Sequence, residues 1–372
     1  MVLVGGSVTH DSNVFRLPQS ADTQARTGRP TRSDRISSMY TGLRLDKPYA
    51  QQRFLLDLTV SAYRYDNFSF LDFNALQYRS AWQWHLTPRW SGVLSAEREQ
   101  ALVSYADFRD LAQRNVRTME NRWLAVDGWL FEGWHLLAGL RQQEVRNSAP
   151  FVQLGSFRAS GGDGGVRYVA GAGNSVDFRV RVLDGRYTDR TADPATLLDD
   201  GFSRVESEAL ATWIVTAKST FDARIARVDY RATHFAQRDF SGTAARLGYR
   251  WAPTAKLSLS VTASRDLEPW SDSFASYRVD ERLAFGPSWA IGPRTTLRMS
   301  LMRATSHFRN PVVPSAGAPR RDALNSALLA VDWKILRNVT FNASLQRQRQ
   351  TSNDTGFEFE ANVATLGASL MF

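Results

Sequence analysis

Arginine is the side chain of this sequence best equipped for chemistry. Forty-two of the 46 basic residues are arginine, the lysines being Lys47, Lys218, Lys256 and Lys334, and the net charge is +9. A guanidinium offers a planar fork that grips carboxylate, sulfate or phosphate, whereas an ammonium acts as a point charge. The basic residues are interleaved with acids along the whole chain, so nucleic acid is a poor partner. A GC-rich genome would produce the same bias with no function attached.

Eleven arginines recur at one parity of alternating stretches: Arg79, Arg141, Arg167, Arg179, Arg181, Arg224, Arg246, Arg250, Arg278, Arg282 and Arg298. Asp57, Glu97, Asp177, Glu206, Glu208, Asp222, Asp280 and Asp332 share that parity, as do Gln77, Gln83, Gln143, Gln346 and Gln348. Side chains spaced by two face one way along a strand and meet across neighbouring strands. About half of these arginines are expected to pair with carboxylates in that way. The remainder would leave a positive wall, which draws anions into a confined pore. The glutamines would offer hydrogen bonds to sugar hydroxyls.

Acid–base chemistry finds little support. The five histidines are His10, His85, His135, His234 and His307, with no metal-ligand spacing and no Ser/His/Asp grouping at one height. Asp229 and His234 could meet at a rim, and two solvated polar residues are the plainer reading. With no cysteine, thiolate metal sites and disulfide frameworks are excluded. No cofactor is expected.

The elements that would position the arginines are strands. Leu257, Leu259, Val261 and Ala263 alternate with Ser258, Ser260, Thr262 and Ser264; Val176, Phe178, Val180 and Val182 alternate with Asp177, Arg179 and Arg181. Short turns are expected near Asp46-Lys47-Pro48, Leu86-Thr87-Pro88, Phe131-Glu132-Gly133, Gly171 to Asn174, Lys218-Ser219-Thr220, Ala252-Pro253-Thr254, Ile291-Gly292-Pro293 and Leu336-Arg337-Asn338. Eight such turns with a free strand at each end give about 18 strands, the sequence signature of a transmembrane antiparallel β-barrel of the outer-membrane type. The chain, residues 1–372, is then a single domain. Its mean hydropathy of −0.34 does not oppose this, since such a barrel carries its membrane signal on every second residue. Trp84, Trp90, Trp129, Trp134, Trp213, Trp251, Trp289 and Trp333 all lie near a short turn, as an interfacial aromatic girdle requires. The terminal Phe372 is the aromatic end expected of a last barrel strand.

Parity breaks predict bulges between Ile225 and Val228 and between Val363 and Leu366, and the stretch Val116 to Leu130 has no clear parity. Longer loops are expected at Asn13 to Ser33, Ser104 to Arg114, Thr191 to Gly201 and Asn310 to Arg321. The first should be mobile, and any of them could fold inward as a constriction. Met1-Val2-Leu3-Val4 does not read as a secretory signal, so the sequence is expected to be a mature chain.

The stretch Gly5-Gly6-Ser7-Val8-Thr9-His10-Asp11-Ser12-Asn13-Val14-Phe15-Arg16-Leu17-Pro18 resembles the opening of EpsL-type outer-membrane proteins of exopolysaccharide operons associated with exosortase and PEP-CTERM systems. Those proteins begin with a similar S-x-T-Y-D-D-N-L-F-R-L-P run; His10 here replaces the tyrosine and Ser12 the second aspartate. The resemblance implies a pore through which a secreted polysaccharide crosses the outer membrane, and it supplies no catalytic residues. From the residues alone, Ser7 to Asn13 can form the first strand, and Phe15 and Leu17 can pack the first loop over the mouth.

The expected function is export of an anionic exopolysaccharide through an arginine-rich lumen in the bacterial outer membrane. The expected partners are outer-membrane lipid and lipopolysaccharide, the polymer, and periplasmic or inner-membrane export components, with both termini periplasmic. A general or anion-selective diffusion porin is the alternative, and a rim-active hydrolase the third reading.

Overall fold

Alternating side chains form strands along nearly the whole chain, each antiparallel to its neighbours. The computed structural model describes residues 1–108, 113–149, 155–312 and 318–372. The strands are β1 (Val2–Asp11), β2 (Asp34–Tyr49), β3 (Gln52–Tyr65), β4 (Phe73–Thr87), β5 (Trp90–Leu102), β6 (Val116–Phe131), β7 (Trp134–Asn147), β8 (Phe157–Val169) and β9 (Ser175–Tyr187). They continue as β10 (Gly201–Thr216), β11 (Ser219–Ala232), β12 (Phe240–Trp251), β13 (Leu257–Pro269), β14 (Tyr277–Ala290), β15 (Thr295–Arg309), β16 (Arg321–Lys334), β17 (Val339–Ser352) and β18 (Phe359–Met371). Each strand pairs with the next, and β1 also pairs with β18, so the 18-stranded sheet closes on itself. Apart from the long-loop end of β12 and β13, closure leaves no row of unpaired N–H and C=O groups between strands, a condition for spanning a membrane with strands. At the seam Leu3 lies opposite Met371 and Asp11 opposite Val363.

The short turns fall where the sequence places them, except the first. Asp46, Lys47 and Pro48 continue β2, and the chain reverses at Ala50 and Gln51 instead. Ala50 adopts a left-handed conformation there, with φ of 50°. The first strand also starts earlier than expected, at Val2 rather than Ser7.

Outward positions near the short turns carry seven of the eight tryptophans; Trp129, opposite His135 and two residues from Asp127, stands instead on a bore-facing position. Trp213, Trp289 and Trp333 are about half exposed on the barrel surface. Trp84 instead lies flat against Gly92 on the next strand, where an added Cβ would come within 2.3 Å of the indole ring. The expected girdle is therefore in place on the face that meets lipid.

Neither expected bulge exists. The β10–β11 register runs unbroken past Ile225 opposite Ala209 and Val228 opposite Glu206, and the β17–β18 register is likewise continuous through Val363 and Leu366. Ile225 points outward, 57% exposed, while Val228 points inward and is fully buried; Phe359 and Ala361 are also buried inward. The parity breaks because the bore at its long-loop end is packed with apolar side chains rather than lined with polar ones. Register shifts occur instead beside short turns, between His85 and Thr87, Trp129 and Phe131, and Ile214 and Thr216. The stretch Val116 to Leu130, unassigned from sequence, is β6, paired continuously with β5.

One hairpin accounts for much of that packing. The β12–β13 ladder stops at Ala245 opposite Arg265. Beyond it Leu267 and Val279, placed outward by alternation on β13 and β14, pack with the inward-facing Val228, Tyr230, Phe240 and Ala244. The upper part of the β13–β14 hairpin has thus slid into the bore over β11 and β12. Gly242 permits the approach: a Cβ there would sit 2.7 Å from Leu267 Cδ2.

The first long loop is anchored, contrary to expectation. It holds a short helix, α1 (Thr23–Thr27), capped by the Asp22 side chain. Arg32 donates to the carbonyls of Pro18, Gln19 and Ala21 and to Thr23 Oγ1. Phe15 and Leu17 are buried with Phe68, Leu71 and Tyr105 from the next two loops, as the sequence suggested. Of the loops expected at Ser104 to Arg114 and Asn310 to Arg321, residues 109–112 and 313–317 lie outside the described residues.

Candidate functional site

Following the register around the barrel puts all eleven arginines on bore-facing positions, together with the eight carboxylates and five glutamines of the same parity. Eight of the eleven are ion-paired. Arg79 meets Glu97 at 2.5 Å, Arg298 meets Asp332 at 2.5 Å, and Arg250 reaches Asp222 at 3.8 Å. Asp177 receives Arg167 and Arg179, each at 2.7 Å. Glu206 and Glu208 each bond both Arg181 and Arg224, at 2.7 to 3.2 Å.

Arg141, Arg246 and Arg282 have no ion pair among the described residues, and Arg141 Nε is buried without a hydrogen-bond partner. Arg224, Arg246, Ser264 and Arg282 stand side by side on β11 to β14. Of the eleven, Arg141, Arg246 and Arg282 are what remains of the expected positive wall. Over the bore-facing strand positions carboxylates are at least as numerous as cations, so the wall is balanced overall. Sequence parity identified the inward set but could not weigh Asp163, Asp266 and Glu268, which join it.

The bore narrows where the loop after β5 crosses it. Asp107 bonds Arg278 on β14 at 2.9 Å and Arg320, before β16, at 3.4 Å. Phe108 beside it packs with Trp270, Ala275 and Phe308. Asp107, Arg320 and the Phe108 group border a cavity of about 1030 Å³ at the long-loop end, which Arg238, Asp272 and Phe357 also line. Arg238 is buried and donates to the carbonyls of Thr196, Leu197, Asp272 and Ala275, tying three loops together. Burial in this carbonyl cage pulls its pKa below the ordinary arginine value.

His234 meets Asp199 at 3.1 Å and Asp200 at 3.2 Å. Asp229 is not its partner: it sits on the outward face with Arg227, 3.5 Å away. Hydrogen bonding to Asp199 raises the His234 pKa, with help from Asp200. Burial works to raise Asp199, but the N–H groups of His234, Phe235 and Gly201 and the imidazole more than offset it, leaving its pKa lowered. The three side chains could face a cation, yet Asp199 is already engaged by backbone donors. The cluster is a clasp between the loops after β9 and β11.

The segment Asp11 to Leu17 forms a second clasp. Asp11 accepts from the Asn13 N–H and from Arg16, and Asn13 Nδ2 donates to the carbonyls of Leu17 and Glu360. His85 faces the bore near a short turn, His135 bonds Asp127 at 2.6 Å, and His10 and His307 point outward.

Residues 225–372, from the second half of β11 to the end, match a family described as "Putative beta-barrel porin 2". No curated protein matches the chain. Three solved structures from Pseudomonas aeruginosa share its fold. The outer membrane protein OpdK is 12% identical, with 99% of this chain and 98% of that one covered and a TM-score of 0.53. OccK3 (OpdO) is 13% identical, covering 99% and 95%, at 0.52. OccK2 (OpdF), in complex with glucuronate, is 11% identical, covering 99% and 97%, at 0.52. The chain therefore has the outer-membrane porin fold, a closed antiparallel barrel of 18 strands.

Proposed function

We propose that this barrel is a constricted outer-membrane conduit for an acidic exopolysaccharide, with both termini on the periplasmic side. The observation that carries the reading is the crossing of the bore by Asp107, which joins the loop after β5 to Arg278 and Arg320. A barrel of 16 to 18 strands otherwise leaves an aqueous channel, so a loop pinned across it speaks for selective passage. The cavity beyond the crossing is bordered by Trp270, Phe308 and Phe357, with carboxylates and guanidiniums at its edge. Its size falls in the range of ligand sites built from apolar walls and a few polar groups. Sugar rings present apolar C–H faces and hydroxyl rims that suit such a lining. The resemblance of the Ser7 to Pro18 stretch to EpsL-type proteins agrees with this, and OccK2, a protein of like fold, holds a uronate.

The test is conductance in planar bilayers. Wild-type protein should show low conductance that polygalacturonate fragments block and neutral dextran does not. A wide, steady conductance indifferent to both polymers would overturn the proposal in favour of a diffusion porin. That second reading is supported by Arg141, Arg246 and Arg282, three unpaired cations suited to small anions.

A further inference from the structure

The positive charge of the chain lies mainly on the outside of the barrel. On outward strand positions the carboxylates are Glu120, Glu144, Asp184, Asp229, Glu281 and Glu360, and arginines outnumber them more than two to one. Nearly all of these arginines stand on the long-loop half of their strands.

The densest group spans β5 to β9. Arg98, Glu120, Glu144, Arg158 and Arg186 are consecutive cross-strand partners in one lateral row. Arg122 and Arg146 flank it. Glu120 receives Arg98 at 3.1 Å, Arg122 at 3.1 Å and Arg146 at 3.0 Å; Glu144 receives Arg158 at 2.9 Å and Arg146 at 3.4 Å. The two carboxylates are nearly covered, while Arg122, Arg146 and Arg158 remain more than half exposed. The glutamates thus hold the guanidiniums in place and leave their remaining N–H groups pointing outward. Four residues nearer the short turns, the parallel row reads Leu94, Leu124, Leu140, Gly162 and Val182, the beginning of the apolar belt.

We infer that this patch binds the phosphate groups of the outer-leaflet glycolipid, lipopolysaccharide. Its position fixes the kind of partner: it borders the hydrocarbon belt on the lipid-facing wall, at headgroup level. Its chemistry fixes the group, because pre-oriented guanidinium forks match phosphate oxygens in pairs. The surplus of arginine over carboxylate leaves net positive charge for an anionic partner. The inference depends on the barrel spanning a membrane with its long loops outside, and is independent of what passes through the bore.

The probes are bisphosphorylated lipid A, its dephosphorylated form, and inorganic phosphate at matched phosphate concentration, added to detergent-solubilised barrel and followed by native mass spectrometry. Wild-type protein should retain the bisphosphorylated lipid only. A variant carrying R98Q, R122Q, R146Q and R158Q together with E120Q and E144Q, which removes both partners of every pair, should bind it about tenfold more weakly or worse. Bilayer conductance of that variant should match the wild type, separating this result from the conduit proposal. Equal retention of the dephosphorylated lipid, equal displacement by inorganic phosphate, or unchanged binding by a variant that still folds would overturn the inference. The comparison of lipids on wild-type protein decides the matter even if the variant fails to fold.

Discussion

Single arginines perform three different tasks in this protein. In the bore they pair with carboxylates, on the outer wall they stand in excess over them, and in the loops they clamp backbone carbonyls. Period-two alternation made the first group readable in the sequence, because strand parity alone sets which way a side chain points. The carbonyl clamps Arg32 and Arg238 were not readable, since their acceptors lie on segments brought together only by the closed fold. Arg238→Ala strips four carbonyls of a buried donor and should cost about 1.5–3 kcal/mol per charge-assisted bond not replaced by water. Hydrogen exchange in the loops after β9, β11 and β13 should accelerate together. The His234 clasp should depend on pH. With its pKa raised, the imidazole contributes fully below its unfolded value, and the contribution is lost as pH rises through the higher folded value. The lowered Asp199 acts at the other limit, losing its contribution only as pH falls through its depressed value. Amide exchange at His234 and Phe235 should therefore be slowest in mildly acidic buffer and faster under alkaline conditions, after correction for intrinsic rates. A flat profile would mean that the imidazole is not held as described.

At the scale of elements, the infolded β13–β14 hairpin and the crossing loop set the width of the bore. Leu267→Ala removes a buried anchor of the hairpin and should cost about 2–5 kcal/mol of local stability. The expected readout is noisier and larger single-channel conductance as the hairpin loosens. Asp107→Asn keeps the size of the side chain but removes the charge shared by Arg278 and Arg320. It should raise the open probability, whereas an unchanged current trace would place the constriction elsewhere. The sequence misread this region for a physical reason. Val228, Phe359 and Ala361 are apolar at bore-facing positions, and alternation cannot distinguish a residue packed within the barrel from one facing lipid. Two bulges were therefore expected where the strands run straight. The Asp11 to Leu17 segment shows the reverse case: its residue types carry a family resemblance, and the structure accounts for them as a hydrogen-bonded clasp at the mouth. Phe15→Ala should release the first loop from Phe68 and Tyr105, costing about 3–5 kcal/mol, with protease cleavage appearing between Pro18 and Arg32.

For the molecule as a whole, strand number and turn positions were legible because a barrel repeats one simple unit, and the repeat outweighs local ambiguity. The distribution of charge was not legible: a net positive chain suggested a positive bore, yet the bore is balanced and the excess faces out. Replacing Arg141, Arg246 and Arg282 by glutamine should shift the reversal potential in a salt gradient toward cations, while the same change at the paired Arg79 should shift it little. Equal shifts would mean that pairing does not decide ion preference. The seam between β1 and β18 carries a consequence for biogenesis. The first and last strands of the barrel hold one another, so no smaller set of these strands can complete the cylinder. A barrel lacking either strand would present two bare edges, open to aggregation, instead of a smaller working cylinder, so the protein must be kept from collapse until β18 reaches β1.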